Sequence, residues 1–179
     1  MTKINESTEI TGVKLIQLSS FSDERGSFAE IFRKEWFPDR NWTNLQSNRS
    51  VSSKGVIRGL HYHKNQVDYW HVSRGSIRAG LVDLRRSSLT YGNTLILDLS
   101  AESNTGLFIP TGIAHGFACV EEATLIYFVD NYYDGSDEYG VAWNDPDINL
   151  KWGIDEPVLS DRDLANPLLK QLPLVNRPE

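Results

Sequence analysis

The sequence predicts an all-β fold, a jelly-roll barrel with short peripheral helices and an irregular C-terminal segment. Three observations carry that expectation. Apolar residues come in short runs rich in β-branched and aromatic types, Gly, Asn, Ser and Asp fall between the runs, and helix-like patterning is confined to two brief stretches. In chain order, VKLIQL (Val13 to Leu18) and SFAEIF (Ser27 to Phe32) are the first strands expected, and KEWFPDR reads as a short helix after them. The run YWHVSRGSIRAGLVDL (Tyr69 to Leu84) is split by Arg74-Gly75 into two strands, as a hairpin turn does. TLILDL (Thr94 to Leu99), LFIP (Leu107 to Pro110), GFACV (Gly116 to Val120) and TLIYFV (Thr124 to Val129) follow. In the last of these, alternation puts Leu125, Tyr127 and Val129 on one face and Ile126 and Phe128 on the other. From about Trp143 the chain is richer in Pro and Asp. WNDPDINLKWGIDEPVLSDRD is expected to wrap over the barrel, with DLANPLLKQL as a short helix. Many short strands suit a jelly roll, an architecture that also encloses small-ligand sites.

Composition narrows the function classes. At 179 residues, with 40% hydrophobic and 23% charged residues, the chain reads as one globular domain spanning 1–179. A net charge of −6 argues against nucleic acid as a partner but leaves room for a local arginine pocket around one or two phosphates. The one cysteine, Cys119, cannot form an internal disulfide, which favours the cytoplasm, and its apolar neighbours mark it as a core filler. No run is apolar and long enough to span a bilayer, and the N-terminus lacks a signal-peptide core, so no membrane partner is expected.

Chemistry concentrates in GVIRGLHYHKNQVDYWHVSRG (Gly55 to Gly75). The chain has four histidines, and three of them, His61, His63 and His71, lie in this segment. Two readings compete. The spacing Gly55-(x5)-His61-x-His63-(x4)-Asp68-(x6)-Gly75, with His115 in PTGIAH, resembles the signatures of metal-binding cupins. Histidines at i and i+2 of a strand share a face, and a carboxylate with a further His could complete a site for a divalent first-row metal. Alternatively one imidazole moves protons, a role that suits an unperturbed pKa of about 6.5. Arg25 in DERGSF and Arg58 in IRGLHY each sit beside glycine, where backbone could approach a ligand. Guanidinium forks bind phosphate oxygens, so a converging pair suits a diphosphate.

The motifs DERGSFAE, LQSNRS, VIRGLHY, VDLRRSSLTYGN, LSAES, FIPTGIAHGF, YYDGSDEYG, WNDPDINLKW and LSDRD occur in order over nearly the whole chain. Together they resemble the dTDP-4-dehydrorhamnose 3,5-epimerases, nucleotide-sugar epimerases of the cupin superfamily. The resemblance implies a homodimer, no metal or other cofactor, and inversion of stereocentres beside a 4-keto group. It implies His61 as the general base, Asp163 as the carboxylate paired with it, and Tyr127 as the proton donor. It places Arg25, Glu30, Gln46, Ser47, Asn48, Arg58, His115, Glu138 and Arg162 at positions that bind the nucleotide sugar, with Tyr133 stacked on the thymine and part of each site borrowed from the partner's first strands.

The chain departs from the family at one place. The loop HKNQV is short, and Asp68 falls where the family carries an enolate-stabilising lysine. A carboxylate repels an enolate. Lys64 reaching in, His63 or His71 donating, or a metal could compensate. The alternatives to a 3,5-epimerase are an enzyme inverting one carbon, a metal-dependent cupin built on His61, His63, Asp68 and His115, and a non-catalytic sugar-nucleotide binder.

Overall fold

A computed structural model describes residues 2–179. Its strands are β1 (Lys3–Glu6), β2 (Lys14–Gln17), β3 (Ser20–Asp23), β4 (Gly26–Ala29), β5 (Gln46–Ser52), β6 (Ile57–Tyr62) and β7 (Asp68–Arg74). They continue with β8 (Ser76–Asp83), β9 (Thr94–Ser100), β10 (Thr105–Ile109), β11 (Ile113–Cys119), β12 (Ala123–Val129) and β13 (Tyr139–Gly140). One sheet runs β1-β2-β10-β7-β12-β5, and the facing sheet runs β13-β6-β11-β8-β9. All named strand pairs are antiparallel. The result is a cupin-like jelly roll, as the sequence predicts. The β3–β4 hairpin stands apart from both sheets.

Three apolar layers hold this arrangement. Between the sheets lie Trp70, Val72, Leu81, Leu107, Phe117 and Leu125, the inward residues of alternating strands. Outside the five-stranded sheet, Ile57, Tyr62 and Val82 meet Val141, Trp152 and Leu172 of the C-terminal segment, which does wrap over the barrel. Outside the six-stranded sheet, Tyr69 and Phe108 are capped by Phe37 and Trp42. Phe37 stacks on Phe108 at 4.5 Å, and Phe32 on Phe128 at 4.6 Å, geometries favourable for aromatic pairs.

Arg74-Gly75 splits the long run into two strands as expected, with Gly75 at φ +70, but it is not a hairpin turn: β7 and β8 do not pair, and the turn carries the chain from the six-stranded sheet to the five-stranded one. The helices are shorter than expected, and proline is the reason. KEWFPDR yields only a 3₁₀ turn at Lys34–Trp36, because Phe37 precedes Pro38 and cannot stay helical. DLANPLLKQL is cut at Pro167, so a short helix α1 (Asp161–Ala165) is followed by a separate 3₁₀ turn at Leu169–Gln171.

Candidate active site

A cavity of about 280 Å³ opens between the two sheets, close to the size of a small-molecule pocket. Arg58, His61 and His115 enter it from the five-stranded sheet, and Gln46, Asn48, Asp68 and Tyr127 from the six-stranded one. Tyr132, Tyr133, Glu138 and Arg162 form the rim.

His61 is placed by an unusually close strand approach. Gly59 on β6 has φ +124, and a Cβ there would lie 2.6 Å from the Gly116 Cα and 2.8 Å from the His115 carbonyl oxygen. Only glycine permits this contact. It lets β6 and β11 pair with His61 opposite His115. The glycine beside Arg58 therefore serves strand packing and not the ligand approach expected from the sequence.

Tyr62 points outward into the layer under the C-terminal segment, so its neighbour His61 points inward. The His61 Nε2 lies 2.6 Å from Asp163 Oδ1. A carboxylate only accepts, so Nε2 carries the hydrogen, and in the neutral ring Nδ1 is then the atom with a free lone pair. Asp163 sits in α1 and is buried. Ser160 caps this helix by accepting from the Asp163 N–H, and its hydroxyl donates back to Asp163 Oδ2 at 2.9 Å. Burial by itself pushes the Asp163 carboxyl up. Hydrogen bonds from His61, Ser160 and the Gly59 backbone, with attraction to His61, outweigh burial and hold it below the usual carboxylate range.

Tyr127 approaches from the opposite sheet. Leu125, Tyr127 and Val129 all line the cavity, whereas Phe128 packs in the outer aromatic layer, which is the alternation expected. Burial, then the charges of Asp68 and Glu138, raise the Tyr127 pKa against the lowering pull of Arg58, so the phenol is protonated at neutral pH. The cavity thus has an imidazole paired with a carboxylate on one wall and a protonated phenol on the other.

A second group lies deeper. One ligand-type atom each of His63, Asp68 and His115 lie within 4.8 Å of one another. His115 Nδ1 donates to the Ile113 carbonyl at 2.9 Å, and burial pushes its pKa down to about 4 despite the pull of Asp68. Asp68 accepts from Trp70 Nε1 and Gln66 Nε2, each at 3.1 Å. The short loop is pinned by Asp137, which accepts from the Lys64 and Asn65 backbone N–H groups, while its own carbonyl accepts from His63 Nδ1 at 2.9 Å.

Several expected site residues lie elsewhere. Ser47 points away from the cavity, since its strand neighbours Gln46 and Asn48 take the inward positions. Arg25 is at the tip of the β3–β4 hairpin, 90% exposed and paired with Asp23, while Glu30 pairs with Arg33; neither touches this chain's cavity. Of the compensations for Asp68, His71 is excluded because it shares the outward face of β7 with Tyr69. Lys64 is excluded because its ammonium donates to the Val175 carbonyl and lies over the Tyr139 ring. His61 is not part of the His63–Asp68–His115 cluster. Sequence reading missed Asp137, Gln66 and Trp70. The i, i+2 spacing of Trp70 from Asp68 was the available clue.

The cavity, with an imidazole–carboxylate pair on one wall and a phenol on the other, lies in a cupin-like jelly roll, and the protein is an isomerase. The chain belongs to the dTDP-4-dehydrorhamnose 3,5-epimerase family, whose model matches residues 7–171. It is 39% identical over 164 residues to the dTDP-4-dehydrorhamnose 3,5-epimerase of Shigella flexneri, covering 88% of this chain and 91% of that one. The fold superposes with a TM-score of 0.93 and 31% identity on the dTDP-6-deoxy-D-glucose-3,5-epimerase of Legionella pneumophila in complex with dTDP-4-keto-L-rhamnose, covering 100% of this chain and 98% of that one. A 3'-monoepimerase from Streptomyces bikiniensis in complex with dTDP-quinovose is also similar, with a TM-score of 0.86, 33% identity and coverage of 93% and 88%.

Proposed function

We infer that the protein epimerises a nucleotide-linked 4-keto-6-deoxy sugar, inverting C3, C5 or both. The observation that carries this reading is the His61–Asp163 pair on one sheet facing Tyr127 on the other. A hydrogen beside a ketone is acidic because its electron pair can move onto the carbonyl oxygen. His61 Nδ1 takes that proton, and Asp163 stabilises the imidazolium that forms. Tyr127 returns a proton to the opposite face of the carbon, which inverts it. Positioned acids and bases of this kind supply about 10²–10⁴ in rate.

The rest of the cavity suits a nucleoside diphosphate handle. Arg58 offers a guanidinium to phosphate, and Tyr133, 71% exposed at the rim, offers a ring face to a base. Remote binding of this kind holds the sugar for chemistry at the keto end. The relatives' substrates favour dTDP as the nucleotide. In our reading the 179 residues act as one domain, in the cytoplasm, and as a homodimer. The β3–β4 hairpin, which exposes Phe21 and Phe28 beside Arg25 and Glu30, is the surface that would meet the partner. Light scattering on Phe28→Glu tests the dimer, with a shift to monomer expected and an unchanged mass contradicting it.

Incubation with dTDP-4-keto-6-deoxyglucose in heavy water tests the function. Deuterium appearing at C3, or at C3 and C5, of an inverted product supports it. A sugar recovered with its hydrogens and configuration intact, over a panel of 4-keto sugar nucleotides, contradicts it.

A further inference from the structure

We propose that His63, Asp68 and His115 bind a divalent first-row transition-metal ion, which polarises the keto oxygen and stabilises the enolate. The catalytic half of this proposal rests on the epimerase reading, but the binding half does not.

The argument begins with hydrogen placement. His63 Nδ1 and His115 Nδ1 each meet a backbone carbonyl, of Asp137 and Ile113 respectively, at 2.9 Å. A carbonyl only accepts, so both Nδ1 atoms carry hydrogen, and in a neutral ring Nε2 is then a bare lone pair. His115 is buried in the cavity wall. Its Nε2 stands 3.8 Å from Asp68 Oδ2, and that is a gap between two acceptors, too long for a shared proton. Asp68 is 4% exposed and, among the described residues, takes side-chain hydrogen bonds from the neutral donors Trp70 and Gln66. Three electron-pair donors therefore converge on one place with no hydrogen between them.

A metal ion satisfies all three. Bonds of about 2.1 Å to one ion set adjacent ligand atoms roughly 3.0–3.4 Å apart. Drawing the three atoms in from within 4.8 Å requires each to move by less than about 1 Å. Two imidazoles and one carboxylate suit manganese, iron, cobalt, nickel or zinc. The backbone carbonyls on both Nδ1 atoms are the outer partners that metal-bound histidines use to fix ring and tautomer.

The ion's place also answers an electrostatic problem. All three residues line the cavity, so coordination positions not filled by protein face the substrate. An enolate formed beside a bare Asp68 carboxylate would be repelled. An ion held there accepts the enolate oxygen as a Lewis acid while His61 holds the proton, and the electron pair returns to carbon when Tyr127 delivers its own. His61 is committed to Asp163 and takes no part in the metal set.

The test uses the full chain, stripped with a chelator and dialysed against nickel, zinc, manganese or cobalt chloride. Metal is counted per chain, and cobalt is followed by its visible absorption. One ion per chain is expected. His63→Gln and Asp68→Asn should weaken binding by more than the roughly 10–100-fold that outer-partner changes cost. His61→Asn should leave binding unchanged, and thermal melts check that the variants are folded. Substoichiometric binding, or binding that His63→Gln and Asp68→Asn leave intact, overturns the site. Full-rate isotope exchange by the stripped protein overturns the ion's catalytic role and leaves the epimerase reading standing. Stoichiometric metal with no exchange on any 4-keto sugar nucleotide keeps the site and defeats that reading.

Discussion

His61 Nε2 and Asp163 Oδ1 lie 2.6 Å apart although 102 residues separate them in the chain. Neither residue is placed by chance. His61 is fixed by the glycine contact between β6 and β11, and Asp163 by the capped first turn of α1. The C-terminal segment, which folds over the outer face of the five-stranded sheet, is what brings them together.

Asp163→Asn keeps the shape of the side chain and removes its charge. The imidazolium that forms on proton abstraction then lacks its stabilising partner. Isotope exchange should fall by about 10²–10⁴, measured by proton NMR at saturating substrate. The same variant carries an acid-stability signature. The folded Asp163 pKa is below its unfolded value of about 3.9, so ionisation stabilises the native state fully above about pH 5. That contribution fades as the pH falls through the lowered native value. Urea melts should therefore show the wild-type advantage over Asp163→Asn at pH 7 narrowing below about pH 4.

Tyr127→Phe removes the acid and leaves the base. Abstraction by His61 continues and the enolate is reprotonated from the side on which it lost its proton. Deuterium wash-in should survive within about tenfold, while formation of the inverted sugar falls by about 10² or more. Equal loss of both would remove Tyr127 from the donor role.

Gly59→Ala tests the strand approach. Its Cβ meets two backbone atoms under 3 Å away, and neither can move like the end of a side chain. A destabilisation of about 1–3 kcal/mol or more is expected in thermal or urea unfolding, with exchange slowed in the fraction that folds. A variant of native stability would show that β6 and β11 can separate without cost.

Much of this was legible in the sequence because apolar alternation reports burial. TLIYFV showed its inward face, including Tyr127, and the run Tyr69 to Leu84 showed its break at Arg74-Gly75, though not that its two halves join different sheets. The strands that escaped notice are polar or exposed. KINE (β1), SFSD (β3) and QSNRSVS (β5) carry too few apolar residues for periodicity to speak, and Gly59 interrupts the pattern of IRGLHY (β6). In the site, motif resemblance singled out His61 and Tyr127, which line one cavity, and Asp163, which the fold brings to His61. It could not show that Ser47 turns outward or that Arg25 and Glu30 leave this chain's cavity, since these depend on strand phase and hairpin placement. The spacing of His61, His63, Asp68 and His115 also resembled one metal set. Folding divides it, because α1 brings a carboxylate to His61 and leaves the other three together.

The central claim is that one imidazole, backed by Asp163, removes the proton beside the ketone. Deuterium wash-in at C3 and C5 of a 4-keto-6-deoxy sugar nucleotide, followed by proton NMR for wild type and His61→Asn, tests it most directly. The account predicts exchange in the wild type and a loss of at least about 10² in the variant at unchanged fold. Undiminished exchange in His61→Asn would contradict it.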